Sequence, residues 1–241
     1  MSKEKIYIFD TTLRDGAQTE GVDFSIEDKN KIAKVLSEIG VDYVEGGWPG
    51  ANPVDTKFFS NPPNLGKTIF TAFGMTKKIG RSADNDPGLA ALTNASSQAV
   101  CVVGKSWDYH VNVALGIKND ENLENIKETA RHFKKNNKEF LFDAEHFFDG
   151  YKANPDYALN CLKQAYENGA RWIVLCDTNG GTLPFRNPLR SISCCSSNSL
   201  VSNFFLISAL STIIDKVVFN PFFDCTFTFI TIWWARRDSN S

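Results

Sequence analysis

Short apolar runs alternate along the first three-quarters of this chain with segments whose apolar residues recur at helical spacing. The runs at residues 6–9, 43–44, 68–73, 99–103, 140–142 and 172–176 are nearly all apolar, the mark of strands buried on both faces. Between several of them the helical segments have readable ends. Ser25 precedes Ile26 with Asp28 three residues on, close to a capping box. Ile32, Leu36 and Ile39 follow at helical spacing, and Gly40 stops the pattern. Asp120 opens a second helix with Leu123, Ile126, Ala130 and Phe133 on one side. Asn154-Pro155 opens a third, with Ala158, Cys161, Leu162 and Ala165 inward and Gly169 as its stop. Strands alternating with helices in units of about 30 residues predict a parallel sheet covered by helices.

The predicted fold is α/β: a partial TIM (β/α)8 barrel of about six βα units, followed by an aberrant apolar tail. Residues 1–184 carry the units. Past Pro184 the texture changes, and residues 191–241 hold only six charged side chains: Asp215, Lys216, Asp224, Arg236, Arg237 and Asp238. Residues 185–241 therefore read as something other than native sequence of the same domain, such as translation past a frameshift, a missed splice or a gene boundary. A membrane anchor is disfavoured there, because Pro221 and Asp224 interrupt the longest apolar stretch.

The chain has 26 Lys and Arg against 28 Asp and Glu, a net charge of −2, which gives no electrostatic case for nucleic acid or an anionic membrane. The opening residues lead straight into a strand without a signal-peptide apolar region, and the six cysteines lack metal-type pair spacing. Cys101 and Cys176 read as small buried hydrophobes. These features predict a reduced, cytoplasmic, enzyme-sized protein.

A (β/α) barrel places its chemistry at the C-terminal ends of its strands. The first end carries Asp10-Thr11-Thr12-Leu13-Arg14-Asp15-Gly16 and Gln18; the second, Glu45-Gly46-Gly47-Trp48-Pro49-Gly50; the third, Phe73-Gly74-Met75-Thr76. The fourth carries Lys105-Ser106-Trp107-Asp108-Tyr109-His110; the fifth, Asp143-Ala144-Glu145-His146; the sixth, Asp177-Thr178-Asn179-Gly180-Gly181-Thr182. Arg14 beside Asp15 suits a substrate carboxylate together with a metal ion, or else is an ordinary surface ion pair. So many ionisable groups converging on one face are costly unless they bind something. Glu145, shielded by Phe142, Phe147 and Phe148, is a candidate for proton transfer through a raised pKa, or else a helix cap. His110 orients a substrate carboxylate or carbonyl, or is a loop histidine. His146 has no distinguishing feature, and His132 is expected to face solvent. Residues 179–182 could form an anion nest but match neither nucleotide-binding glycine pattern.

The motifs Asp10–Gly16, Val-Glu-Gly-Gly-Trp-Pro-Gly at 44–50, 104–110, Phe-Asp-Ala-Glu-His-Phe-Phe-Asp-Gly-Tyr-Lys at 142–152, and 176–184 resemble the acyl-CoA-condensing metallo-barrels. That family includes 2-isopropylmalate, homocitrate and citramalate synthases and 3-hydroxy-3-methylglutaryl-CoA lyase. The resemblance covers about residues 4–184 and is greatest to the citramalate synthase branch. It implies condensation of acetyl-CoA with pyruvate to citramalate and CoA, in isoleucine biosynthesis, by a homodimer using a divalent metal (Mg²⁺, Mn²⁺ or Zn²⁺). By motif position, Asp15 would be a metal ligand and Arg14 would stabilise developing oxygen charge. Glu145 would take part in proton transfer, and Gln18, His110 and Thr178 would position the 2-oxoacid. Alternative readings are a 2-isopropylmalate synthase or lyase relative, or a non-catalytic fragment.

One departure bears on activity. The family carries a metal-binding His-x-His pair on its seventh strand, whereas the three histidines of this chain are His110, His132 and His146. The glycine-rich motif expected after the eighth strand and the C-terminal regulatory domain also have no counterpart. The resemblance therefore implies a truncated, inactive form.

Overall fold

The computed structural model describes residues 7–180, Thr182 and the backbone of 216–219. Six strands run in chain order through one sheet: β1 (Phe9–Asp10), β2 (Tyr43–Gly47), β3 (Ile69–Met75), β4 (Ala99–Lys105), β5 (Glu139–Glu145) and β6 (Ala170–Cys176). All five pairings among them are parallel. Helices α1 (Ile26–Glu38), α2 (Pro53–Ser60), α3 (Pro87–Asn94), α4 (Asp108–His110), α5 (Asn119–Lys135), α6 (Phe147–Ala153) and α7 (Pro155–Glu167) fill the connections. The expected partial barrel of six units is the observed one.

Period-2 alternation divides the sheet's side chains into two layers. Val44, Phe70, Ala72, Val100, Val102, Phe140, Phe142, Ala144, Ile173 and Leu175 pack outward with Ala33, Phe58, Leu92, Ile126, Ala130, Phe133 and Leu162 of the helices. Phe9, Tyr43, Phe73, Ala99, Cys101, Leu141, Trp172, Val174 and Cys176 form a separate inner cluster. Several strands run past the apolar stretches that predict them. β2, β4 and β5 end on Gly47, Lys105 and Glu145, so the polar residues at these ends are held by the ladder rather than by loops.

The helix ends follow the capping chemistry. Ser25 and Asp28 form a reciprocal capping box, and Asn154 accepts from the Tyr157 amide ahead of Pro155. Two expectations on helix faces are corrected. Ile39 lies beyond the last turn of α1 and is 70% exposed, because Gly40, at φ +90°, turns the chain away before that side chain reaches the core. His132 does not face solvent: its ring is buried between Thr93, 2.9 Å from Nε2, and Asp84, 3.2 Å from Nδ1.

A buried lysine fixes the first two strand ends relative to each other. Lys29 of α1 donates from Nζ to the carbonyls of Leu13 and Gly46, each at 2.9 Å, and pairs with Asp55 of α2. Asp55 accepts in turn from the Trp48 amide at 2.8 Å. A Cβ on Gly47 (φ +144°) would fall 2.5 Å from the Asp55 carboxyl carbon, so this lock requires glycine there.

A seventh strand, β7 (Lys216–Phe219), pairs with β6 in antiparallel register, Val174 opposite Val218. The sequence pattern places its βα units within residues 1–184 and does not predict β7. The remaining expectations for 185–241 lie outside the described residues. Among the described residues no helix is long and apolar enough to cross a membrane.

Candidate active site

Arg14 is the centre of the first strand end. Its Nε donates to Glu45 Oε2 at 2.6 Å and its Nη1 to Asp15 Oδ1 at 2.8 Å, while the guanidinium lies 3.9 Å from the centre of the Phe73 ring. The fork geometry of arginine allows it to meet both carboxylates at once. Burial works against its charge, but Glu45, Asp15 and Asp143 outweigh burial and hold its pKa above the ordinary arginine value. Nη2 is buried without a hydrogen-bond partner. The buried donor is costly unless an oxygen is bound there.

Glu45, wholly buried, is a residue whose role the sequence reading missed. It was legible as a carboxylate ending a strand, but its partnership with Arg14 spans 31 positions and appears only in space. Asp143 was missed likewise. It is buried on β5, accepts from the Cys101 thiol at 3.1 Å, and adds a third negative charge facing Arg14. Asp10 shapes the turn by accepting from the Thr12 amide and hydroxyl, and its burial pushes its carboxyl above the usual range. Gln18 is exposed and lines, with Arg14, Leu13, Phe24, Trp48 and Val54, a cavity of about 430 Å³ beside this strand end.

The fourth to sixth strand ends form a second group. Lys105 and Glu145 are register partners and their side chains make an ion pair. Phe142, Phe147 and Phe148 belong to the outer, helix-facing core, so the group that meets Glu145 is Lys105. Nor does Glu145 cap a helix, since His146 occupies the N-cap position of α6. His146 sits at φ +52°, a conformation that costs energy in a non-glycine residue. It thereby turns its ring edge-on to His110, with centroids 4.5 Å apart. Trp107 packs at 4.7 Å from the His110 ring. Burial, then His146 and Lys105, lower the His110 pKa from its ordinary value. The Thr178 hydroxyl accepts from the His146 amide at 2.9 Å. His110, Glu145 and Thr178 are thus brought to one place, joined by His146, while Arg14, Asp15 and Gln18 stand together at the other. In the last loop Gly180 donates its amide to the Asp177 carbonyl at 2.8 Å, a local turn rather than an open nest.

The donors do not make a metal centre. No group of three His, Cys, Asp or Glu side chains is placed to hold a metal among the described residues. Asp15 is committed to Arg14, and the two site histidines pack on each other. A divalent ion needs more oxygen or nitrogen donors than one paired carboxylate.

The chain is 52% identical over 183 residues to an (R)-citramalate synthase of Aquifex aeolicus, covering 75% of this chain and 35% of that protein. It is 50% identical over 187 residues to the (R)-citramalate synthase of Geobacter sulfurreducens, covering 77% and 35%. Against 2-isopropylmalate synthase 1 of Caldanaerobacter subterraneus the identity is 32%. The chain therefore spans about a third of the length of the citramalate synthases it matches. In fold it is similar to the HMG-CoA lyase of Bacillus subtilis, with a TM-score of 0.66 at 18% identity over 81% of this chain and 66% of that one. A family profile described as HMGL-like matches residues 5–193, and the chain belongs to that family.

Proposed function

We propose that this chain carries the 2-oxoacid side of a citramalate synthase site, the enzyme that condenses acetyl-CoA with pyruvate to citramalate and CoA. The observation that carries the reading is the Arg14 cluster: a buried guanidinium, fixed by Glu45 and Asp15, with its Nη2 unpartnered. In a condensation the acetyl methyl carbon loses a proton and bonds to the keto carbon, whose oxygen gains negative charge and is then protonated; water cleaves the thioester to release CoA. Arg14 Nη2 is the donor for that oxygen, in a site that holds it rigid and dry. Glu145 takes part in proton transfer, and Gln18, His110 and Thr178 position the acid. The 52% identity to an (R)-citramalate synthase supports pyruvate over the bulkier 2-oxoacid of the isopropylmalate branch, where identity falls to 32%.

The family's divalent metal does not fit this donor set, so no step is assigned through it and the chain is expected not to turn over. Residues 1–184 are the barrel portion of the enzyme and 185–241 lie outside its native sequence. The family profile ends at residue 193, nine residues past the proposed boundary, which supports a division near 184 rather than one at that residue. The intact enzyme is a cytoplasmic homodimer in this reading. The missing donors also favour one other reading, a non-catalytic fragment.

A chimera separates the two. Residues 1–184 joined to the remainder of the Aquifex aeolicus enzyme should release CoA from acetyl-CoA with pyruvate and far less with 2-oxoisovalerate, whereas the 241-residue chain should release none. A chimera that folds but is inactive would sink the enzymatic reading. Reading the DNA downstream of the Pro184 codon for Gly-x-His-x-His in another frame tests the origin of the tail.

A further inference from the structure

Asn-Gly occurs twice in this chain, at Asn168-Gly169 and at Asn179-Gly180. A glycine after an asparagine leaves the following backbone nitrogen unshielded, so that nitrogen can close on the side-chain amide carbon. The fold treats the two dipeptides differently. Asn168 follows α7, is half-buried, and has its carboxamide held at both ends. Its Oδ1 accepts from Arg131 Nε at 2.8 Å and its Nδ2 donates to the Gln164 carbonyl at 2.7 Å. Gly169 is crowded as well, since a Cβ there would fall 2.8 Å from Lys134 Cδ. Both glycine amides sit in turns, Gly169 donating to Tyr166 at 3.2 Å and Gly180 to Asp177 at 2.8 Å. The backbone nitrogens are thus alike, and their surroundings are not.

Asn179 lies exposed in the loop after β6, and a Cβ on Gly180 would meet nothing within 4 Å. Among the described residues its carboxamide is held only through Nδ2, which donates to Asp149 Oδ2 at 2.8 Å. The same Asp149 oxygen lies 3.4 Å from His146 Nδ1, and the His146 amide donates to Thr178. The Asn179 bond therefore fastens the last loop to α6, one residue from Thr178.

We propose that Asn179 is a site of spontaneous deamidation, and that the reaction unfastens this loop. The Gly180 nitrogen gives its proton to solvent and bonds to Asn179 Cγ. The Cγ–Nδ2 bond breaks, Nδ2 leaves as ammonia, and a succinimide ring is closed. Water then opens the ring at either carbonyl to give aspartate or isoaspartate, so one water is taken up for each ammonia released. The product carries a carboxylate where an N–H donor had met Asp149. Attraction becomes like-charge repulsion, and the loop and α6 part. Asn168 stays intact in the folded chain, because Arg131 and Gln164 would have to let go first. No step here involves the condensation chemistry, so the inference holds or fails apart from that reading.

The 241-residue protein is incubated at mildly alkaline pH, folded and in urea, and then digested with trypsin, which parts the two sites at Arg171. In the folded protein the Asn179 peptide should convert at least about tenfold faster than the Asn168 peptide, the weight of the extra charge-assisted bond from Arg131. In heavy-oxygen water the product should gain one labelled oxygen. In urea the two rates should converge. Asn179→Asp copies the new charge without altering the backbone. Hydrogen exchange of the His146 amide should then quicken about tenfold, as the bond to Thr178 opens more often. Adding Asp149→Asn restores a donor and an acceptor, and should return that exchange close to the wild-type rate. The inference is overturned if folded Asn168 reacts as fast as Asn179, if Asn179 reacts only in urea, or if the gap between them persists in urea. It is overturned equally if Asn179→Asp leaves His146 exchange unchanged or if Asp149→Asn fails to restore it.

Discussion

At the scale of single residues the site is a contest between burial and pairing. Arg14 can stay charged in a buried position because carboxylates surround it, and Glu45 can stay buried because Arg14 reaches it. Neither is stable without the other, since removing one partner of a buried pair strands the second. Arg14→Lys is the informative change, for a lysine keeps the charge but cannot reach Glu45 and Asp15 together while lying flat on Phe73. It should lose about 2–4 kcal/mol in urea unfolding, close to the cost of removing the charge altogether. A loss below about 0.5 kcal/mol would mean that the fork geometry contributes little. Arg14, Asp15 and Glu145 were legible as chemistry because charges at the ends of apolar strands stand out against their background. Glu45 and Asp143 stood out in the same way but could not be given partners, since sequence does not say which strand ends face each other. His132 was misread because a histidine beside lysines on a helix resembles a solvated face, and its partners come from a different βα unit.

At the scale of elements, caps and glycines set where each helix lies against the sheet. Asp86 caps α3 by accepting from the Leu89 amide at 3.0 Å and also accepts from the Lys78 amide at 2.7 Å. Burial works against its charge, but the amides of Lys78, Leu89 and Gly88 outweigh burial and hold its carboxyl below the ordinary value. Its folded pKa is therefore lower than its unfolded one. The stabilisation is complete above the unfolded value and is lost as pH falls through the folded one. Asp86→Ala should cost about 1–2 kcal/mol at pH 7. Measured by urea unfolding, the gap between wild type and Asp86→Asn should stay level from neutral pH to about pH 5 and shrink below about pH 4. A gap that widens in acid would contradict the assignment. Gly150 governs α6 by absence: a Cβ there would fall 2.5 Å from the Ser106 carbonyl oxygen and 2.9 Å from Trp107 Cα. Gly150→Ala should cost about 1–3 kcal/mol and displace the His110 and His146 resonances, because Trp107 would have to move. Caps of this kind were readable at Ser25 and Asn154, where the side chain and the helix it starts are adjacent in sequence. The role of Gly150 was not, because it depends on a strand end more than forty positions away.

At the scale of the whole molecule, the six parallel units were countable from alternation alone, whereas β7 was not. A sheet edge accepts any extended segment through backbone hydrogen bonds, so Lys216–Phe219 needed no strand-like pattern to pair with β6. The antiparallel direction matters for function, since a further barrel unit would add a parallel strand and bring its C-terminal end to the mouth. Among the described residues Asp15, Glu45 and Asp143 face Arg14 and Glu145 pairs with Lys105, while Asp10, Asp149 and Asp177 are engaged by Thr12, by His146 and Asn179, and by Thr182. A divalent cation would have to displace a paired cation to bind, and His110 and His146 stand on the Lys105 side rather than beside Asp15. A metal bound at a hundredfold excess over its dissociation constant would stabilise the fold by about 2.7 kcal/mol. In a chain of this size that raises the melting temperature by about 5–10 °C. Adding Mg²⁺ or Mn²⁺ at about that excess over a typical carboxylate-site constant should instead move it by less than about 1 °C. A rise of about 5 °C that Asp15→Asn abolishes would show that Asp15 recruits donors from beyond the described residues, and would restore the metal to the mechanism.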